Sequence, residues 1–232
     1  MISALPVLSQ KLNDSLFVAG SQQNMTDHYP DLLNREAPIY NGKMYHPYIK
    51  LSENGHPFFN SDRYTQGSIV YSGYTYRHVK IAYDLVRDQL ILMDFDGDNA
   101  LVVVPDHVDS FTLHNHTFIR LTAGAATANT IKPGYYDLLY KGRIRLLAKR
   151  LKSVSEKVTQ NEVEKNVSQQ DKYYLFKDSV YTAITNKKAL LKMLQSTQSQ
   201  NQHFIKTEQL NFKRDKENAI IKLVKFHDSI AQ

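Results

Sequence analysis

The chain has 232 residues, 42% of them hydrophobic and 22% charged, which is the composition of an ordinary folded protein with one large or two small domains. It contains no cysteine, so disulfide bonds, thiol nucleophiles and Cys-ligated zinc are excluded, and no apolar run approaches the ~20 residues of a membrane-spanning helix. Residues 1–140 carry a formal charge of −4 and residues 141–232 a charge of +10. This asymmetry favours either an acidic partner for the basic end or a well-solvated lysine-rich surface.

The N-terminal segment, residues 1–38, starts with small and apolar residues and turns polar at Lys11. This pattern resembles the end of a secretory signal that lacks its basic start and a full apolar core. A trimmed start and a genuine short N-terminus are both open interpretations. We predict an exported protein that is periplasmic or associated with the outer membrane.

The middle of the chain, residues 39–184, is predicted to form an antiparallel β domain. Four places in it share an aromatic residue, two turn residues and a strand-forming pair. This pattern predicts tight hairpins, because Asn-Gly and its relatives supply the positive φ that their turns require. Between these places apolar and polar residues alternate with a period near two, as in half-buried strands. Hairpins are therefore expected at 40–45, 71–76, 140–145 and 176–181.

Two stretches of the β domain do not follow this pattern. Residues 122–130 are small and turn-forming, which predicts a flexible loop. Residues 153–171 are polar and charged, which indicates a mobile excursion or a poorly ordered helix.

The last segment, residues 185–232, changes to a helical period, and Asn186 and Asp215 are candidate N-caps of helices. We expect these helices to dock on the sheet. The predicted fold class is α+β, mainly β: an antiparallel β-meander or curved sheet built from hairpins, with two to three C-terminal helices packed on it.

A basic strand between residues 141 and 152 is the most interesting candidate binding site. Alternation places Arg143, Arg145 and Lys149 on one face, and Arg150 completes a tentative basic face beside several tyrosines. An edge strand that is guarded by charge against aggregation gives the same pattern. For an exported protein, an acidic protein or a lipid headgroup at the membrane surface is a better partner than nucleic acid.

Two motifs suggest metal binding. His114 and His116 have the spacing of two imidazoles on one face of a strand, which can chelate zinc or copper. Three acidic residues in 94–99 resemble part of a calcium loop, but Asn99 replaces the glycine of its sharp turn. Exposed sheet histidines beside a turn and an ordinary hairpin tip explain both motifs better. We predict no metal site and no cofactor.

Catalytic signatures are weak in this sequence. It has neither a Gly-x-Ser-x-Gly elbow nor a phosphate-cradling glycine loop. Asp84, Asp88 and Asp137 could supply the two facing carboxylates of glycoside chemistry, but the sequence does not bring them together. The balance favours a protein without enzymatic activity.

Several segments resemble an uncharacterised group of exported β-rich proteins of Bacteroidota. The resemblance covers most of the chain after about residue 40 and implies a compartment outside the cytoplasm, but no activity. Asp-Ser-aliphatic triplets, the pattern that these bacteria O-glycosylate, occur at 14–16, 178–180 and 228–230. The segments that carry the resemblance are Gly-His-Pro-Phe-Phe at 55–59, Gly-Ser-Ile-Val-Tyr at 67–71, Tyr-Asp at 83–84, and the ending from Lys-Tyr-Tyr-Leu-Phe at 172–176 through Lys-Leu-Val-Lys-Phe at 222–226.

These observations predict a non-enzymatic interaction protein of the cell envelope, with protein partners and a role as accessory subunit of a periplasmic or outer-membrane assembly. Two alternatives stay open. One is a carrier that encloses an apolar ligand in a curved sheet, and the other is a hydrolase.

Overall fold

The computed structural model describes residues 36–49, 55–124, 130–158 and 163–231. The expected signal remnant and the centre of the expected loop at 122–130 lie outside these residues. Within them, thirteen β-strands precede three α-helices. The strands are β1 (Lys43–Met44), β2 (Thr65–Tyr71), β3 (Tyr74–Asp84), β4 (Gln89–Met93), β5 (Ala100–Val102), β6 (Val108–Leu113), β7 (His116–Leu121), β8 (Gly134–Lys141), β9 (Arg145–Lys149), β10 (Lys152–Val158), β11 (Val163–Gln169), β12 (Lys172–Lys177) and β13 (Val180–Ile184). The helices are α1 (Lys187–Met193), α2 (Gln198–Thr207) and α3 (Lys216–Ile230).

Eleven of the strands form one open antiparallel sheet in the order β1-β5-β4-β3-β2-β6-β7-β8-β9-β12-β13. The remaining two, β10 and β11, form a separate hairpin. This architecture confirms the predicted fold class, a mainly β protein with C-terminal helices. None of the described helices is both long enough and apolar enough to cross a membrane.

The first half of the sheet curves around an aromatic core. Tyr83 on β3 and Tyr135 on β8 lie four strand spacings apart in the sheet order, which is roughly 19 Å in a flat sheet. Their ring centroids are nevertheless only 5.7 Å apart. Phe111 and Phe118 stack beside them at 4.7 Å, and all four side chains are at most 1% exposed. The sheet therefore bends, and its own aromatic side chains fill the concave side.

The second half of the sheet carries the helices. Leu146 and Leu175 on β9 and β12 belong to a buried cluster with Ile220, Leu223 and Val224 of α3. The helical period of α3 thus buries one face against the sheet, as the sequence predicts.

Both predicted N-caps stand directly before helices. Asn186 accepts a hydrogen bond from the backbone N–H of Ala189 at 2.9 Å. Asp215 precedes α3, but its carboxylate accepts from the side-chain amide of Asn218 instead of a backbone N–H.

Three of the four expected hairpins are confirmed, at 71–76, 140–145 and 176–181. The hairpin expected at 40–45 is wrong. Pro38–Tyr40 form a 3-10 turn, and β1 pairs with the distant β5. Gly42 serves a close approach there, since a Cβ at this position would lie 2.1 Å from the carbonyl oxygen of Val102. The Asn-Gly pair at 41–42, which predicts a local hairpin turn, therefore lies at a long-range contact between two strands.

Of the two alternatives for residues 153–171, the poorly ordered helix is wrong, because most of this stretch forms the β10–β11 hairpin. Whether the stretch is a mobile excursion stays a prediction. Val154 pairs with Val167, while Glu156 pairs with Lys165 and forms an ion pair with it at 3.5 Å. Polar residues occupy most of the strand positions, so the alternation that identifies a half-buried strand is weak here.

Candidate functional site

The predicted basic face does not form one exposed row. Lys149 and Arg150 are only 8% and 5% exposed, whereas Arg143 and Arg145 are exposed. The prediction that all four share an accessible face is therefore wrong, because the side chains of Lys149 and Arg150 form ion pairs inside the protein. Whether Arg143 and Arg145 contact a partner stays a prediction.

Arg150 lies at the centre of a buried ionic cluster. Its guanidinium reaches Asp137 and Asp171 at 2.6 Å each and also pairs with Glu217 of α3. Burial alone would lower the pKa of Arg150, but hydrogen bonds to Glu217 and Asp137 outweigh it and raise the pKa. Arg150 thus joins β8, the end of the β10–β11 hairpin and the last helix through a permanently charged group.

Lys149 belongs to a second network. Its Nζ donates to Asp88 at 2.6 Å and to the carbonyl oxygen of Tyr135 at 3.0 Å, and the hydroxyl of Tyr83 donates to the same Asp88 carboxylate. Gly134 makes this arrangement possible, since its φ is 144° and a Cβ there would lie 2.1 Å from Asp88 Oδ2. Burial lowers the pKa of Lys149.

Asp84 is the third of the three aspartates considered for catalysis, and it is 0% exposed. It accepts hydrogen bonds from the hydroxyls of Tyr45 and Tyr48 and from the backbone N–H groups of Val86 and Arg87. The three aspartates that could have formed a catalytic pair are therefore each held by donors or cations in their own network. Such an arrangement stabilises the fold and offers no carboxylate pair in an open cleft.

His114 and His116 do not share a strand face. His114 has a φ of 50° and lies in the turn between β6 and β7, while His116 begins β7 and places its Nδ1 2.7 Å from Asp137. The described residues contain no group of three or more side chains arranged to hold a metal ion. Residues 94–99 form a hairpin tip, in which Asp94 accepts bonds from Asp98 and Asn99.

Arg143 is fixed to the last helix. The carboxylate of Asp228 accepts from the Tyr140 hydroxyl at 2.8 Å and from the Arg143 backbone N–H at 3.0 Å. Gly142 lies against the same carboxylate. This contact ties the β8–β9 turn to α3.

The strand β13 forms one edge of the sheet, and within the described ranges it pairs only with β12. We call β13 and its outward backbone groups the C-terminal sheet edge. The strand reads Val-Tyr-Thr-Ala-Ile and has no charge and no proline. Val180 is 46% exposed, and Thr182 is exposed as well. The opposite edge strand, β1, has only two residues, one of which is a lysine.

The turn before β13 determines which backbone groups point outward. Asp178 and Ser179 have φ values of 51° and 63°, as in the two-residue turns of tight hairpins. The closing pair Lys177–Val180 then exchanges both backbone hydrogen bonds, and bonded pairs alternate along the strands. The N–H and C=O groups of Tyr181 and Ala183 therefore point away from β12.

A row of charged and aromatic side chains runs up to this edge. Arg145 on β9 lies opposite Phe176 on β12, which lies opposite Tyr181 on β13. The Arg145 guanidinium is 5.0 Å from the Phe176 ring centroid, and the Phe176 and Tyr181 rings are 4.5 Å apart. Of the predicted basic residues, Arg145 is thus the exposed one that approaches the C-terminal sheet edge.

This edge was not among the sites predicted from the sequence. The signal was present, because Val180–Ile184 is an uncharged, strand-forming run between a tight turn and a helix cap. Nothing in the sequence indicated that β13 would have β12 as its one neighbouring strand among the described residues.

Comparisons with known proteins found no family model, no curated protein and no solved structure that matches this chain. The structure itself defines a mainly β protein with an eleven-stranded open antiparallel sheet and C-terminal helices.

Proposed function

We propose that this protein is a non-enzymatic interaction protein of the cell envelope, an accessory subunit that binds a protein partner through the C-terminal sheet edge. The observation that carries the proposal is the uncharged strand β13 at the end of the sheet, where the side chains of Val180 and Thr182 are exposed. Proteins usually protect such edges with charge, proline, a bulge or very short strands. An edge without these devices is suited to accept an additional strand.

Strand addition supplies both affinity and specificity. The outward backbone groups of Tyr181 and Ala183 provide hydrogen bonds to any extended segment, and side chains next to the edge select among segments. The row that ends at the buried Tyr181 places the half-buried Phe176 ring and the exposed positive charge of Arg145 near the edge. This combination favours an extended, mainly apolar partner strand.

The two alternatives have less support. A carrier needs an apolar cavity of several hundred Å³, but aromatic side chains fill the concave side of the sheet. A hydrolase needs accessible carboxylates, whereas Asp84 and Asp137 are 0% and 1% exposed.

The envelope location rests on the sequence resemblance and on the N-terminal pattern. Fractionation of cells that express the protein tests it: the chain is expected in the periplasmic or outer-membrane fraction. Recovery in the cytoplasm would remove the envelope from the proposal and leave the edge as a binding site.

Site-specific photo-crosslinking in the same cells tests the binding edge. A benzophenone amino acid at Thr182 is expected to capture an envelope protein, whereas the same group at Met44 on the opposite edge captures none. Both positions are exposed, so the pair is matched. Ala183→Pro removes an outward N–H without breaking a bond to β12, and it is expected to abolish the crosslink. Ala183→Ser is expected to retain it, and equal crosslinking by both variants would contradict the proposal.

A further inference from the structure

We infer that the C-terminal sheet edge pairs with the same edge of a second copy of this chain, β13 against β13 in antiparallel orientation. The inference rests on the proposed function, because it names the occupant of the same edge. It follows from the fact that β13 is complementary to itself in hydrogen bonding and in side-chain size.

The hydrogen-bonding pattern is satisfied by a register centred on Thr182. In that register Tyr181 of each copy lies opposite Ala183 of the other, and both residues direct their backbone N–H and C=O groups toward the partner. Two bonded pairs of this kind supply four backbone hydrogen bonds. Thr182 then lies opposite Thr182 of the second copy in the non-bonded position, where side chains approach most closely.

The side chains fit the same register. On the face that carries Phe176, the large Tyr181 ring lies opposite the small Ala183 methyl group. On the face of the helices, Val180 lies opposite Ile184, and the two Thr182 side chains meet at the symmetry axis. Pairs of β-branched side chains and Thr–Thr pairs are among the favourable cross-strand contacts. No charged side chain is buried by this pairing, since β13 has none.

The size of the contact predicts a weak dimer. A five-residue strand pair falls below the ~1,200 Å² of a standard stable interface, which is the range of transient complexes. Concentration in an assembly would therefore favour the dimer. The opposite edge cannot pair in this way because β1 has only two residues.

Cysteine trapping tests the register directly, because the chain has no natural cysteine. With diamide as oxidant, purified full-length Thr182→Cys is expected to form a disulfide-linked dimer at least about tenfold faster than Val180→Cys, since a disulfide needs Cα atoms within ~7 Å. In the inferred register the two Val180 residues lie four positions apart, about 14 Å. Equal rates for the two variants, or no dimer from Thr182→Cys, would overturn the inference.

Charge exchange at the same residue gives an independent test. By sedimentation velocity, Thr182→Lys and Thr182→Asp are each expected to be monomeric at concentrations where the wild-type chain and Thr182→Val dimerise. An equimolar mixture of Thr182→Lys and Thr182→Asp is expected to restore the dimer. A mixture that stays monomeric contradicts the self-pairing. If crosslinking to an envelope protein from position 182 persists in that case, the proposed function stands and only its occupant changes.

Discussion

Arg150 and Asp137 form a buried ion pair, with 2.6 Å between Nη2 and Oδ2, at the boundary between the aromatic cluster and the helix-covered cluster of the sheet. Asp137 pairs across the sheet with Phe118 of the aromatic cluster on one side and with Ala148 of the helix-covered cluster on the other. Arg150 therefore links the curved half of the sheet to the half that carries the helices and the binding edge.

Replacement of Arg150 is expected to destabilise the whole fold. Arg150→Met leaves Asp137, Asp171 and Glu217 without their shared cation, and removal of one partner of a buried pair costs about 3–5 kcal/mol. Arg150→Lys should be intermediate, because a single ammonium cannot replace a guanidinium that contacts three carboxylates. Urea unfolding followed by circular dichroism measures the change. The control, the exposed Arg145→Met, is expected to lose less than about 1 kcal/mol, and equal losses at both positions would contradict this role of Arg150.

Replacement of Gly134 tests the Lys149–Asp88 network. In Gly134→Ala the new Cβ would lie 2.1 Å from Asp88 Oδ2 and 2.7 Å from Lys149 Nζ, so the ion pair must open. We expect a loss of about 3 kcal/mol in the free energy of unfolding. Gly97→Ala is the control for a positive φ without a clash: its φ is 79°, and no atom lies within 4 Å of the added Cβ. Strain alone should cost about 1 kcal/mol there, and a similar cost for Gly134→Ala would show that the network tolerates displacement.

Alkaline pH is expected to destabilise the protein through its buried tyrosines. Burial, and next the negative charge of Asp88, raise the pKa of Tyr83 well above its ordinary value, and burial is the first cause of the raised pKa of Tyr45 and Tyr135 as well. In the unfolded chain these hydroxyls ionise near pH 10, so above that pH the unfolded state has lost protons that the native state keeps. The stabilisation is therefore fully present below about pH 10 and is lost as the pH rises.

Tyrosine absorbance at 295 nm, recorded with circular dichroism during an alkaline titration, measures this effect. The buried tyrosines should ionise only together with unfolding. In urea experiments between pH 9 and pH 11, Tyr83→Phe should show a shallower loss of stability with pH than the wild type. Ionisation of all fifteen tyrosines near pH 10 with the fold intact would disagree with the raised pKa values.

The sequence predicts those parts of the fold that depend on neighbouring residues. The turn at Asp178 and Ser179 and the cap at Asn186 are local signals, and the structure confirms both. The pairing of β1 with β5 is not local, because Lys43 meets Val102 across nearly sixty positions. The order of the strands in the sheet also depends on pairings between distant residues, so it could not be predicted from a single sequence.

The buried positions of Lys149 and Arg150 could not be predicted for a related reason. A cation on a strand is usually exposed, and it is buried only when carboxylates arrive from elsewhere in the chain. Asp88 lies 61 positions from Lys149, and Glu217 lies 67 positions from Arg150. Among the described residues, no carboxylate forms an ion pair with Arg145. This side chain is exposed and lies beside Phe176.

Amide hydrogen exchange of β13 tests the central claim most directly. In dilute monomer the outward N–H groups of Tyr181 and Ala183 should exchange rapidly, while the inward groups of Thr182 and Ile184, bonded to β12, exchange slowly. When the protein is concentrated or bound in its envelope assembly, Tyr181 and Ala183 should gain at least about tenfold protection, as expected for newly paired strand amides. Unchanged exchange at these two amides, with protection appearing in another part of the chain, would contradict the assignment of the C-terminal sheet edge as the binding surface.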